Sequence, residues 1–155
     1  MSGADRRITS KATQIHRITD AKIQREGAVN IVCALEHFLD DCQWLRSVDG
    51  VLVAHHLEFD AGILCAELQR IPTLCSSVVK TLAARGVCTM TSAAKRNGVS
   101  FAHNGHYCSL SLPNAFNKFV TWSHWNEDAH HDAAYDVRKT LELYDSLFRV
   151  PRALI

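Results

Sequence analysis

Two carboxylates and one imidazole occupy positions where chemistry is possible. Asp60 ends the segment VAHHLEFD, which follows an apolar run and opens a helical pattern. It should therefore lie where a strand end meets a helix start, the edge at which open α/β sheets bind ligands. An isolated Asp at a helix start is also a common N-cap. Asp60 is thus either a ligand-binding carboxylate or a structural cap.

His131 and Asp136 form a second candidate pair within HHDAAYDV. Five residues on a helix correspond to about 140° of rotation, so two helical positions at this spacing would not share a face. Both side chains can point into one cleft only if His131 lies in the loop before the helix and Asp136 lies one turn in. Asp132 or His131 would then be the cap. A His beside a carboxylate near a metal can deprotonate water, whereas the alternative is an ordinary polar helix start.

Helical and strand patterns predict the elements that position these residues. We expect a helix over 28–39 with Ala28, Val32, Leu35 and Leu39 on its buried face. The apolar run 51–54 predicts a strand buried on both faces, as in a parallel sheet. Helices over 59–70, stopped by Pro72, and over 76–85 follow, and 87–90 is a weak strand.

The C-terminal part is predicted to be a loop over 97–108 and two helices. Pro113 opens a short helix carrying Phe116 and Phe119. The last helix ends at Pro151, and its expected buried stripe is Ala134, Val137, Leu141, Tyr144 and Phe148. Two strands make a marginal sheet, so we expect strands to be missing for the number of helices.

Composition indicates one globular domain spanning 1–155. With 47% hydrophobic and 21% charged residues, the chain is neither disordered nor collagen-like. No apolar run reaches the ~18 residues of a membrane span, and the six cysteines fit reduced thiols in a cytoplasmic protein. Residues 1–25 carry a net charge of +4 and the remainder −3, so we expect a basic N-terminal segment that meets phosphate or is simply solvated.

Two weaker patterns remain open. His103, His106 and Cys108, with Cys88 upstream, match no established zinc spacing and are more typical of a polar loop. Trp122 and Trp125 can stack on unpaired bases, although packing under the last helix is the favoured interpretation.

Three ordered segments resemble one enzyme family. VAHHLEFDAGIL and AHHDAAYDVRKTLELYDSLF resemble the second and third motifs of the DEDD 3′–5′ exonucleases with a motif-three histidine. That family includes the proofreading subunit of bacterial DNA polymerase III, ribonuclease T and exodeoxyribonuclease X. The segment ITSKATQIHRITDAKI resembles the stretch after the family's first motif. Residues 87–90 resemble the exodeoxyribonuclease X type of sequence within the family. The resemblance runs from about residue 7 to residue 148.

The resemblance implies a fold and a set of roles. The fold would be α/β and ribonuclease H-like, truncated at the N-terminus with a reduced sheet. Asp60 and Asp136 look like metal ligands, and His131 like the general base. Two Mg²⁺ or Mn²⁺ ions would assist hydrolysis at a nucleic-acid 3′ end, releasing nucleoside monophosphates.

The resemblance also implies which residues would contact the substrate. His16 and Ile18 resemble the loop that packs on the terminal nucleotide, and Phe59 is a further candidate for binding nucleic acid. The substrate would be single-stranded DNA or RNA, with DNA favoured and a role in DNA repair implied.

The sequence also departs from the family. His56 stands where Asn is usual, and the first motif, Asp-x-Glu, does not occur. We therefore expect the chain to begin after that motif and to lack the family's first three strands. Two carboxylates are fewer than two hard dications require. Catalysis would therefore need the missing strands from a partner chain or from a longer natural form of the protein. The edge of strand 51–54 predicts a homodimer. The alternatives are a non-catalytic nucleic-acid-binding relic and an unrelated helical regulator.

Overall fold

The computed structural model describes residues 8–27, 29–98 and 108–148. In this part of the chain most residues are helical, and the sheet is small. The elements, in order, are α1 (Ser10–His16), α2 (Asp20–Glu26), α3 (Ile31–Ser47), β1 (Val53–Ala54), α4 (Leu57–Gln69), α5 (Ser77–Ala84), β2 (Val87–Cys88), α6 (Thr89–Asn97), α7 (Leu112–Phe119), a 3₁₀ turn (Glu127–Ala129) and α8 (Ala133–Phe148).

The sheet consists of β1 and β2, paired in parallel. Val53 is opposite Val87 and Ala54 is opposite Cys88. The connection between the strands contains α4 and α5, as a parallel pair requires a crossover. Gly86 permits the tight turn into β2, because a Cβ there would lie 2.8 Å from the carbonyl oxygen of Leu52. The α/β class is confirmed at this coarse level.

The strand prediction over 51–54 is partly wrong. Only Val53 and Ala54 are extended in the sheet, both are half-buried, and Val51 is 44% exposed. In the described part of the chain β1 has one neighbouring strand, so one edge of β1 is unpaired. Homodimerisation through β1 stays a prediction.

The first hydrophobic core lies between α3, α4 and α5. Its buried members are Leu35, Leu39, Cys42, Leu68, Val78, Val79 and Leu82. α3 begins at Ile31, where Asn30 caps it by accepting a 2.9 Å hydrogen bond from the Val32 amide, and it continues to Ser47. The predicted helix over 28–39 was therefore too short, and Ala28 lies outside the described residues.

A second core joins α6, α7 and α8. Its buried members are Ala93, Leu112, Ala115, Phe116, Val120 and Leu143. Pro113 lies in the first turn of α7, as predicted, and Phe116 is fully buried. The predictions for α4 and α5 were also correct to within two residues. The sequence patterns missed α6, which begins directly at the end of β2.

The buried face of α8 differs from the prediction. Val137 and Leu141 are 69% and 57% exposed, whereas Lys139, Thr140 and Leu143 are buried. The Lys139 ammonium lies 4.6 Å from the centre of the Phe116 ring and donates to Ser123 Oγ at 2.8 Å. Because its charge is satisfied there and by Glu142, a lysine occupies a core position that a hydrophobic pattern cannot identify.

Two further expectations concern the cysteines, predicted to be reduced, and the apolar runs, predicted to be too short to span a membrane. All six cysteines are free thiols, of which Cys42 is buried and Cys33 is exposed. Burial raises the pKa of the Cys42 thiol, with a further contribution from Asp41. Among the described helices, none combines the length and apolar character that crossing a bilayer requires.

We predict that Leu68→Ala destabilises the protein strongly. Leu68 on α4 is fully buried in the first core, and removing such a side chain typically lowers the free energy of unfolding by about 2–5 kcal/mol. Ile63→Ala is the matched control on the same helix, since Ile63 is 49% exposed and should change stability by only about 0.5 kcal/mol. Urea denaturation monitored by circular dichroism measures both. Equal losses would contradict the described packing of α4.

Candidate functional site

Asp60 lies in the first turn of α4, immediately after β1. Its amide donates to the carbonyl of His56 at 3.0 Å, and its side chain is exposed. The N-cap residue of α4 is His56, and no side-chain capping bond forms there. Asp60 is thus not the structural cap that was its alternative role. Its carboxylate lies at a helix N-terminus, where the helix dipole favours negative charge.

His131 and Asp136 are brought together at the start of α8. His131 lies in the turn before the helix and Asp136 in its first turn. Asp132 serves as the cap: its Oδ1 accepts from the Tyr135 amide at 2.9 Å. The local geometry inferred from the five-residue spacing is therefore confirmed. The chemical roles of the two side chains remain predictions.

His130 is a third member of this group that sequence reasoning did not assign. The donor atoms of His130, His131 and Asp136 all lie within 4.8 Å of one another. His130 Nδ1 is 3.4 Å from Asp136 Oδ1, and the two imidazole rings stack with their centroids 3.7 Å apart. The available signal was the His-His doublet itself, in which only the second histidine matches the exonuclease motif. We call these three residues the α8 cluster.

His131 adopts a backbone conformation that is uncommon for its residue type. Its φ is +68°, in the left-handed region. For a residue other than glycine this conformation costs roughly 1–3 kcal/mol and persists only where surrounding contacts hold it. Here the αL turn allows the chain to double back before Asp132, which places both imidazoles beside Asp136.

Trp125 packs against the α8 cluster. Its ring makes edge contacts with His130, at 5.1 Å between centroids, and with Tyr135, at 5.3 Å. It also contacts Phe116 of the second core. The packing interpretation of Trp125 is therefore correct, while Trp122 is 61% exposed.

Asp60 is not a member of the α8 cluster. The two carboxylates belong to elements that both pack against β1, since α4 and α8 each contact that strand. Convergence of Asp60 with Asp136 on one ion stays a prediction. Phe59, beside Asp60, is 58% exposed and stacks on His56 with centroids 5.4 Å apart. The unusual His56 therefore has a ring partner.

The basic N-terminal segment reaches the loop that precedes the α8 cluster. Arg17, at the end of α1, donates to the carbonyl of Asp128 at 2.9 Å. The adjacent His16 Nδ1 accepts from the Ile18 amide at 3.0 Å, and Ile18 is 39% exposed. The His16–Ile18 loop is thus ordered by its own hydrogen bond and attached next to the α8 cluster.

A cavity of about 600 Å³ opens beside the start of α4. Its lining includes His56, Lys80, Cys88 and Met90, but among the described residues neither Asp60 nor the α8 cluster contributes to it.

Burial opposes ionisation of the Cys88 thiol, yet hydrogen bonding by Thr91 and nearby backbone outweighs burial and lowers the pKa of Cys88. His103 and His106 of the weak zinc pattern lie outside the described residues.

The half-buried imidazole of His55 joins β1 to the second half of the chain. Its Nε2 is 2.9 Å from the Leu110 carbonyl and its Nδ1 is 3.1 Å from Thr89 Oγ1. The carbonyl can only accept, so Nε2 carries the proton of the neutral ring. Burial lowers the pKa of His55; the Leu110 carbonyl and Asp60 oppose this effect and His56 adds to it.

Comparison with known proteins finds partial relatives. The chain is similar to "DNA polymerase III PolC-type" of Streptococcus pyogenes serotype M5 (strain Manfredo) and of serotype M1, with 34% identity over 77 residues in each case. The aligned part is 48% of this chain and 5% of each relative, so the chain spans only a small fraction of these proteins. No family model matches the chain, and no solved structure does.

We predict that His55 makes the protein less stable in mild acid. The folded state holds the His55 pKa below the unfolded value of about 6.5, so its contribution is fully present above that pH and is lost as the pH falls from there through the lower pKa of the folded state. The difference in unfolding free energy between the parent protein and His55→Gln should shrink from about pH 7.5 to about pH 5.5. Urea denaturation measures it. His37→Gln, which alters an exposed histidine on α3, is the control. An identical trend in both variants would refute the role of His55.

Proposed function

We propose that the chain is part of a metal-dependent 3′–5′ exonuclease acting on single-stranded DNA ends. The observation that carries this proposal is the juxtaposition of His131 and Asp136 at the start of α8. A base beside a metal-binding carboxylate is what hydrolysis of a phosphodiester requires. A ribonuclease H-like fold is part of the same proposal.

Two related resemblances support DNA as the substrate. The segments around Asp60 and Asp136 resemble the exonuclease family that includes the proofreading subunit of bacterial DNA polymerase III. The partial relatives are themselves named DNA polymerases. The exposed basic residues of the N-terminal segment, which include Arg17, provide charge that attracts phosphate.

The donor set fits such a site in part. Asp60 and Asp136 offer carboxylate oxygens, which Mg²⁺ and Mn²⁺ prefer. Two carboxylates are fewer than two such ions require, so the proposal includes further carboxylates from a partner chain or an additional segment. When bound, the ions would stabilise negative charge developing on the phosphate.

His131 has the central role among the residues of this chain. Its imidazole accepts a proton from the attacking water, whose oxygen forms a bond to phosphorus. The bond from phosphorus to the 3′ oxygen of the preceding nucleotide breaks, and that oxygen takes a proton from solvent. The products are a nucleoside 5′-monophosphate and a shortened strand. The loop of His16 and Ile18, together with Phe59, would hold the terminal nucleotide.

One observation favours a second function. Asp-x-Glu does not occur anywhere in the 155 residues. A non-catalytic module that binds 3′ ends would retain the basic segment and the exposed ring of Phe59 but would not cleave DNA.

We predict slow, Mn²⁺-dependent shortening of a 5′-labelled single-stranded oligonucleotide from its 3′ end by excess protein. Gel electrophoresis resolves the ladder. Removing a general base typically costs about 10²–10⁴-fold in rate, so His131→Gln should reduce cleavage by at least about 10²-fold. Asp136→Asn should abolish it.

The same assay separates the two functions. His37→Gln should cleave like the parent protein, because His37 is an exposed residue on α3 outside the α8 cluster. Binding of the oligonucleotide without cleavage would support the non-catalytic module. Cleavage that is unchanged in Asp136→Asn would rule out the proposed site.

A further inference from the structure

The donor atoms of the α8 cluster suit a different class of ion from Mg²⁺. Mg²⁺ selects oxygen ligands, whereas Zn²⁺, Co²⁺ and Ni²⁺ are well bound by imidazole nitrogen combined with a carboxylate. We propose that His130, His131 and Asp136 bind one borderline transition-metal dication of the Zn²⁺ type. This inference depends on the geometry of three side chains and not on nuclease activity.

The distances are compatible with shared ligation of one ion. His130 Nδ1 and Asp136 Oδ1 are 3.4 Å apart, longer than the 2.7–3.2 Å typical of N–H···O bonds. Two ligand atoms bound to one tetrahedral Zn²⁺ at ~2.0–2.1 Å are separated by about 3.3 Å. The observed spacing therefore matches that of two ligands on one ion. The donor atoms of the whole cluster lie within 4.8 Å of one another, so joint ligation requires them to close to about 3.3 Å.

The three donor side chains already lie close together before an ion arrives. The rings of His130 and His131 stack at 28° with centroids 3.7 Å apart. Because imidazole lone pairs lie in the ring plane, one ring must turn out of the stack for both nitrogens to face the same ion. Trp125 makes an edge contact with His130. The side chains of His130 and Asp136 are 23% and 28% exposed, which leaves an approach from solvent.

Three protein ligands leave a fourth position open, as in zinc sites that bind water or substrate. The consequence for hydrolysis rests on the proposed function. An ion on His131 occupies a lone pair that a general base needs, so this ion and the hydrolytic state exclude each other. Zn²⁺ therefore acts as an inhibitor of the proposed nuclease.

The test is metal binding by the full chain without nucleic acid. Co²⁺ is titrated while visible absorption is recorded, and Zn²⁺ is then added in competition. We expect one equivalent of Co²⁺ bound with the visible bands of a nitrogen and oxygen site, displaced by one equivalent of Zn²⁺. Loss of an outer-shell partner alone costs about 10–100-fold in affinity, so His130→Ala should weaken binding by about 100-fold or more.

Controls separate the α8 cluster from other donors. His37→Ala removes an exposed imidazole elsewhere and should bind like the parent protein. The free cysteines would instead give intense near-ultraviolet charge-transfer bands, and binding with that signature would overturn the proposal. Unchanged affinity in His130→Ala, or no stoichiometric binding by the parent protein, would also overturn it. His130→Gln, with folding checked by circular dichroism, replaces His130→Ala if that variant does not fold.

The two proposals fail separately. Loss of the oligonucleotide ladder leaves the metal titration unaffected, because the titration contains no DNA. A chain that cleaves DNA with Mn²⁺ but binds no Co²⁺ would retain the nuclease proposal and reject the transition-metal site.

Discussion

The contacts of Trp125 connect the interior of the protein to its candidate chemistry. One ring touches Phe116 in the second core, Tyr135 on α8 and His130 in the α8 cluster. Edge-to-face contacts of this kind have preferred geometries and contribute about 0.5–1.5 kcal/mol beyond burial. The position of the cluster therefore depends on correct packing of α7 against α8, and a disturbance of that core reaches the imidazoles through a single side chain.

Lys139 shows why core packing and sequence pattern disagree on α8. A second stripe on α8 has the same helical period as the more apolar stripe that was predicted to be buried. It consists of residues 136, 139, 140, 143 and 147. The predicted apolar stripe is not the buried one, because Ser123 and Glu142 satisfy the ammonium of Lys139 above the ring of Phe116. Glu142 lies three residues further along α8, but Ser123 and Phe116 come from other segments, and a local pattern cannot reveal those two partners.

The local geometry of the candidate site was predictable, but its long-range geometry was not. The relation between His131 and Asp136 follows from helix periodicity and a cap within six residues, so the sequence contains the necessary information. The elements around Asp60 were similarly accessible, because α4 has a clear helical pattern. Whether Asp60 approaches Asp136 depends on how α4 and α8 pack against β1, and that packing is set by contacts between distant parts of the chain. His130 was missed because an adjacent histidine gains meaning only from the left-handed turn at His131.

The small sheet has a consequence for the order of folding. Val53 and Val87 pair across a crossover of two helices, and closing so long a segment has an entropic cost that a two-residue strand cannot offset by itself. Docking of α4 and α5 on α3 brings the strand ends together. We therefore expect the helical core to form before the strands pair, the reverse of a protein whose sheet forms early and recruits its helices.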